Sequence, residues 1–215
     1  MKITQKSRIS FPVGLLIILT LATCGTATPS QEVTPLVPDA TSSSPTGEGP
    51  TASPAQEHFR QGNEYSQAGE FEQAAEEYRK VLEIEPQNVD AMTNLGVAYY
   101  NLGKLDEAVA QYGKALEIAP KDADIHSNLA AAYVQKYQLS KAPEQLDKAL
   151  AEYKTALELT PGLPEAHFGL GVVYLLLGRN DDALQALETF LDLDTGKDPL
   201  ATENAKKYIK QLRGQ

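Results

Sequence analysis

Residues 89–122 read VDAMTNLGVAYYNLGKLDEAVAQYGKALEIAPKD, and the same 34-residue unit can be laid over the chain on either side of it. Tyr99 lies 34 residues after Tyr65 and 34 before Tyr133; Tyr174 and Tyr208 are again 34 apart, and only the step from Tyr133 to Tyr174 is longer, at 41. A fixed period in this range is the mark of one supersecondary unit copied and stacked, and this length fits a helix-turn-helix.

Several positions recur together, which isolated tyrosines could not do. With Pro86, Pro120 and Pro161 placed at position 32, position 8 is small (Gly62, Gly96, Ala130, Gly171) and position 20 is alanine (Ala74, Ala108, Ala149, Ala183). Position 24 holds Tyr78, Tyr112, Tyr153 and Leu187. Small residues let the two helices of a hairpin approach, large ones fill the remaining space, and proline ends the second helix because it has no N–H for the ladder. Gly69, Gly103 and Gly178 fall where the first helix stops, a place that favours the left-handed conformation.

These residues resemble the tetratricopeptide repeat family over about Ala55 to Gly196, in four copies. The resemblance implies an all-α fold, a right-handed superhelix (α-solenoid) of four helix-turn-helix repeats with a C-terminal capping helix. The units are 55–88, 89–122, 123–163 and 164–197, and the cap is 198–215. There are departures. Position 4, usually a large aromatic in the family, holds His58, Met92, His126 and His167, and Thr195 replaces the last proline. The third copy has seven extra residues between its helices and Tyr137 in place of the turn glycine. Its first helix should run past Gln135, with an excursion through Leu139–Ala142 and a second helix opening at Pro143, where the missing donor costs nothing. In the cap, Lys206, Lys207, Lys210 and Arg213 should face outward, since a solenoid end needs a polar outer face.

In this family the first helices line a concave groove that binds peptides, and the resemblance implies the lining residues here. They are Phe59 and Asn63 in the first copy; Asp90, Asn94, Val97 and Tyr100 in the second; Asp124, Asn128 and Val134 in the third; and Glu165, Phe168, Val172 and Leu175 in the fourth. The first end is rich in amides and the last is aliphatic, suited to an apolar segment or amphipathic helix. Val172, Leu175 and Leu176 have a second reading, as packing under the capping helix. Asn63 and Asn94 match asparagines of the family's chaperone-adaptor clamp, but Phe59, Asp124 and Asn128 stand where that clamp has Lys, Lys and Arg. A carboxylate-ended ligand would meet no countercharge. Asp90, Asp124 and Glu165 recur at position 2; they either select a basic partner or are acids favoured in a first helical turn.

The N-terminus bears on location. Lys2, Lys6 and Arg8 precede an apolar run from Phe11 to about Ala22, the layout of an export signal. The run falls short of the roughly 20 residues that span a bilayer. Cys24, the one cysteine of the chain, follows within Leu21-Ala22-Thr23-Cys24-Gly25, which resembles a bacterial lipoprotein cleavage box. The expectation is a signal over 1–23 and lipid on Cys24; the alternative is a plain secretory signal cut after Ala22 or Ala27. Residues 24–54 are rich in Thr, Ser, Pro and Gly and cannot bury enough apolar surface to fold. They read as a tether, with a typical reach of roughly 30 Å.

The chain has 29 acidic and 19 basic residues, and losing the three cations of the leader takes its net charge from −10 to −13. Nucleic acid is a poor partner for such a surface. No phosphate loop, nucleophile elbow or paired-cysteine motif is present in the sequence, so neither an enzyme nor a small-molecule substrate is expected. His58, His126 and His167 occupy one position of separate copies, too far apart to share a metal ion. They read as packing substitutes, and no metal or cofactor is expected. The expected function is a membrane-tethered adaptor of the bacterial cell envelope, facing the periplasm or exterior and binding another envelope protein. The alternative is a structural or self-associating scaffold.

Overall fold

The computed structural model of the chain describes residues 52–196 and 198–214. The leader, Cys24 and the tether up to residue 51 lie outside the described residues, as do Lys197 and Gln215. Those described form nine helices and no strand: α1 Pro54–Ala68, α2 Phe71–Ile84, α3 Val89–Asn101, α4 Leu105–Ile118, α5 Ala123–Ser140, α6 Pro143–Leu159, α7 Pro164–Leu176, α8 Asn180–Leu193 and α9 Pro199–Leu212. Each odd helix packs on the even helix that follows, each pair packs on the next, and α9 closes the stack on α8. The result is an α-solenoid of four helix pairs and a cap.

Local chemistry sets the helix ends. Ser53 caps α1: its hydroxyl accepts from the Gln56 N–H while the Gln56 side chain takes the Ser53 N–H, a capping box with Pro54 at the first helical position. Asn88, Asp122 and Asp198 cap α3, α5 and α9 through their side chains. At the turns Gly69, Gly103 and Gly178 have φ of 77°, 72° and 71°. In each, the tyrosine of the 34-residue period supplies the carbonyl that closes the turn. Tyr65, Tyr99 and Tyr174 accept from the N–H of Glu70, Lys104 and Arg179 at 2.8, 2.9 and 2.9 Å.

The third pair absorbs its extra residues as helix. Relative to the second pair, α5 gains five residues over α3 and α6 gains three over α4, while the linker shortens by one. Leu139 and Ser140, expected in an excursion, are helical. The Lys141 N–H still reaches the Tyr137 carbonyl at 2.7 Å, so the ladder continues until Lys141 turns left-handed, with φ 57°. Ser140 Oγ donates to the Lys136 carbonyl and accepts from the Ala142 N–H, and α6 opens at Pro143. Leu139 stands 73% exposed on this extension, and Lys136 ties its base to Asp106 of α4.

The core is uneven along the stack. One buried cluster joins α5 through α9, a second joins α3, α4 and α5, and two small ones serve α1 to α3. Gly62 and Gly96 let Tyr78 and Tyr112 pack flat against their helices; a Cβ at either glycine would come within 2.6 Å of the ring. Burial pushes the Tyr112 hydroxyl well above its usual range, with the Tyr100 phenol adding to it.

Candidate functional site

The odd helices form one layer: α3 touches α5 and α5 touches α7 directly. This layer carries the residues expected to line a groove, and it has three distinct stretches.

At the first end the amides form a network. The Tyr78 hydroxyl donates to Asn63 Oδ1 at 2.8 Å, and Asn94 Nδ2 donates to the same oxygen at 3.3 Å. With its oxygen engaged twice, Asn63 has its amide orientation fixed and keeps its NH2 as a donor. Phe59 tilts onto the Tyr78 ring, with centroids 5.9 Å apart. Asp90 is exposed and Val97 half-buried.

In the middle, α5 presents exposed Asp124 beside buried Ser127 and Asn128. Desolvation by its surroundings holds the Asp124 carboxyl above the usual carboxylate range, and the charges of Asp122 and Glu165 raise it further. Tyr100, from α3, is pushed up to about 12 by burial. At the far end Phe168 packs on Phe190 of α8, with centroids 5.2 Å apart. Val172 is 1% exposed and Leu175 is buried with it.

Six of the thirteen residues expected to line the groove are thus core: Tyr100, Asn128, Val134, Phe168, Val172 and Leu175. The correction has a packing cause. Val134, Phe168, Val172 and Leu175 share one cluster with Ala205, Tyr208 and Ile209 of the cap, so the aliphatic end is occupied by the chain itself. Leu176, of the residues named at that end, stays exposed, as does its neighbour Leu177. Phe59, Asn63, Asp90, Asn94, Val97, Asp124 and Glu165 remain at least partly accessible, and the accessible lining is polar and acidic.

Sequence reasoning missed what the histidines do. His58 Nδ1 meets Glu77 Oε2 at 2.6 Å, and His126 Nδ1 meets Glu152 Oε2 at 2.6 Å, the same two positions in the first and third copies. His126 Nε2 also reaches the Pro120 carbonyl at 3.1 Å, and His167 Nε2 the Pro161 carbonyl at 2.8 Å. They are hydrogen-bonded ties between helices and turns, in addition to filling space. The signal was available: Glu stands at position 23 in the first and third copies, where position 4 is His, but Gln111 accompanies Met92. Among the described residues no group of three or more His, Cys, Asp or Glu could hold a metal ion, and no helix is long and apolar enough to cross a membrane.

Comparison with known proteins agrees with this architecture. A family profile described as TPR repeat matches residues 62–103, 98–136 and 143–178, and a second, described as tetratricopeptide repeat, matches 165–194. No curated protein sequence matches the chain. Among solved structures, TTC0263, a thermophilic TPR protein of Thermus thermophilus, is 24% identical with a TM-score of 0.63, covering 74% of this chain and 80% of its own. A tetratricopeptide repeat protein of Parabacteroides merdae is 26% identical with a TM-score of 0.58, covering 75% and 60%. The first TPR of Spaghetti (RPAP3), bound to the HSP90 peptide SRMEEVD, is 27% identical with a TM-score of 0.52, covering 58% and 93%.

Proposed function

The chain belongs to the tetratricopeptide repeat family, and from that premise we propose that it is a protein–protein interaction adaptor of the bacterial cell envelope, held to a membrane by lipid on Cys24 and binding a peptide segment of another envelope protein on its concave face. The observation that carries the binding reading is the fixed amide of Asn63. An NH2 held in place by Tyr78 and Asn94 is a ready donor to a backbone carbonyl of an extended ligand, and its orientation entropy is already spent. The Spaghetti domain, which holds a peptide, supports the mode of binding. It does not supply the ligand: with Asp124 and Asn128 in place of the family clamp's cations, an acidic peptide is disfavoured here.

The anchoring half rests on the apolar run ending beside a single cysteine. More than one acyl chain there would anchor firmly, each buried methylene contributing ~0.8 kcal/mol.

Each half has its own experiment. A photo-crosslinking residue at exposed Asn101, in the native host, should yield an adduct with a second envelope protein that Asn63→Ala combined with Val97→Lys abolishes without loss of helicity. Adducts only between copies of the chain would favour the self-associating scaffold. Val134→Lys is unsuitable as a groove probe, because Val134 is core. Cys24→Ala should end acyl labelling and release the protein from membranes, and unchanged retention would remove the anchor from the reading.

A further inference from the structure

The surface changes sign at the cap. Among the described helices only α9 carries more lysine and arginine than aspartate and glutamate, three lysines against Glu203, in a chain whose net charge is −10. Lys206, Lys207 and Lys210 are exposed and take no ion pair among the described residues, whereas Arg213, just beyond, is tied to Glu188 of α8. The helix dipole accounts for Lys210 alone, because only it stands in the last turn. Leu200, 51% exposed, lines one shallow depression with Glu203, Asn204 and the three lysines. Ala205, Tyr208 and Ile209 hold the other side of α9 in the core, so the basic side cannot turn inward.

We infer that this face of α9 rests on an anionic lipid surface, with the three ammoniums among phosphate headgroups and Leu200 at their boundary with the acyl chains. The inference rests on the reading that the chain is held to a membrane. An acidic domain is repelled by such a surface as a whole, but at physiological salt the screening length is about 8 Å, so only the helix that faces the bilayer is felt. Each lysine near an anionic leaflet multiplies partitioning roughly fivefold, and Glu203 takes one such factor back. That leaves a free domain weakly bound; it suffices for a tethered one, whose local concentration is high. Reach permits the contact. Eight helix-to-helix steps of ~10 Å put α9 at most ~80 Å from α1, and a tether of about 30 residues stretches to ~90 Å. Held at α1 by the tether and at the far end by α9, the stack would lie along the membrane instead of pointing away from it.

The chain contains no tryptophan, so Leu200→Trp places a single indole on this face. The full chain carrying it, purified from host membranes, is reconstituted into vesicles of brominated phosphatidylcholine, with or without about one third phosphatidylglycerol. The bromine should quench the indole on the anionic vesicles only. Quenching should be lost at about 0.5 M salt, and also with Lys206→Gln, Lys207→Gln and Lys210→Gln together while helicity is retained. Equal quenching on both kinds of vesicle, quenching that survives the triple substitution, or none while the chain floats with the vesicles overturns the lipid contact and leaves the tether standing. An indole shielded instead by self-association as the chain is concentrated assigns the face to a second copy and overturns the contact too. A chain that floats with neither kind of vesicle overturns the tether as well.

Discussion

The ring of Tyr153 lies against Gly169 of the following helix pair, whereas Tyr78 and Tyr112 lie against Gly62 and Gly96 of their own. The crossing needs a residue without a side chain at 169, since a Cβ there would fall inside contact distance of the ring and hydroxyl. Gly169→Ala should therefore destabilise by ~1–3 kcal/mol through overpacking. Gly113→Ala, mid-helix in α4 with open space around it, should stabilise by ~0.5–1 kcal/mol. Urea unfolding of the two variants checks the opposite signs.

Acid stability should trace to Glu77. Burial pushes its carboxyl up, but hydrogen bonds from Lys80 at 2.7 Å and His58 at 2.6 Å outweigh that, and the net shift is below the ordinary value of 4.5. A lowered folded-state value stabilises above the unfolded one and loses that contribution as pH falls through the folded one. Glu77→Gln should flatten the loss of stability below about pH 4.5, read from Tm against pH.

Asp124 should show the reverse. Its carboxyl is held above the usual range, so the folded state is penalised at neutral pH and relieved as pH falls through the raised value. Asp124→Asn should raise Tm at pH 7 and change little at acid pH; a lower Tm at pH 7 would contradict this assignment.

Lys141 is the one described residue other than glycine with positive φ, at 57°. Left-handed backbone costs an ordinary residue roughly 1–2 kcal/mol, and the Lys141 ammonium over Tyr137, 5.6 Å from the ring centroid, returns ~0.5 kcal/mol at an exposed site. Lys141→Gly should gain up to about 1 kcal/mol, measured by denaturant midpoint at unchanged m-value.

What the sequence made legible is what repeats. The tyrosine spacing, the turn glycines and the small residues at position 8 each have one physical task, copied, and the helix pairs followed from them. The groove was less legible, because a position that faces a ligand in one repeat protein can be covered by a larger neighbour in another. Phe168 turns onto Phe190, and Val172 is enclosed in a core that runs on to the cap. Size and direction of side chains from several copies decide that outcome, and no single copy states it. The histidine–glutamate ties, by contrast, were written in the copies and needed two positions to be read together.

The uneven core also bears on where the stack would open first. A solenoid is nearly one-dimensional, its stability a series of unit terms and nearest-neighbour couplings. Here α1, the end helix with a neighbour on one side only, buries two residues where α7 buries nine. Under tension applied through residue 53, that thinly buried first helix should peel away before the core that joins α5 to α9 opens.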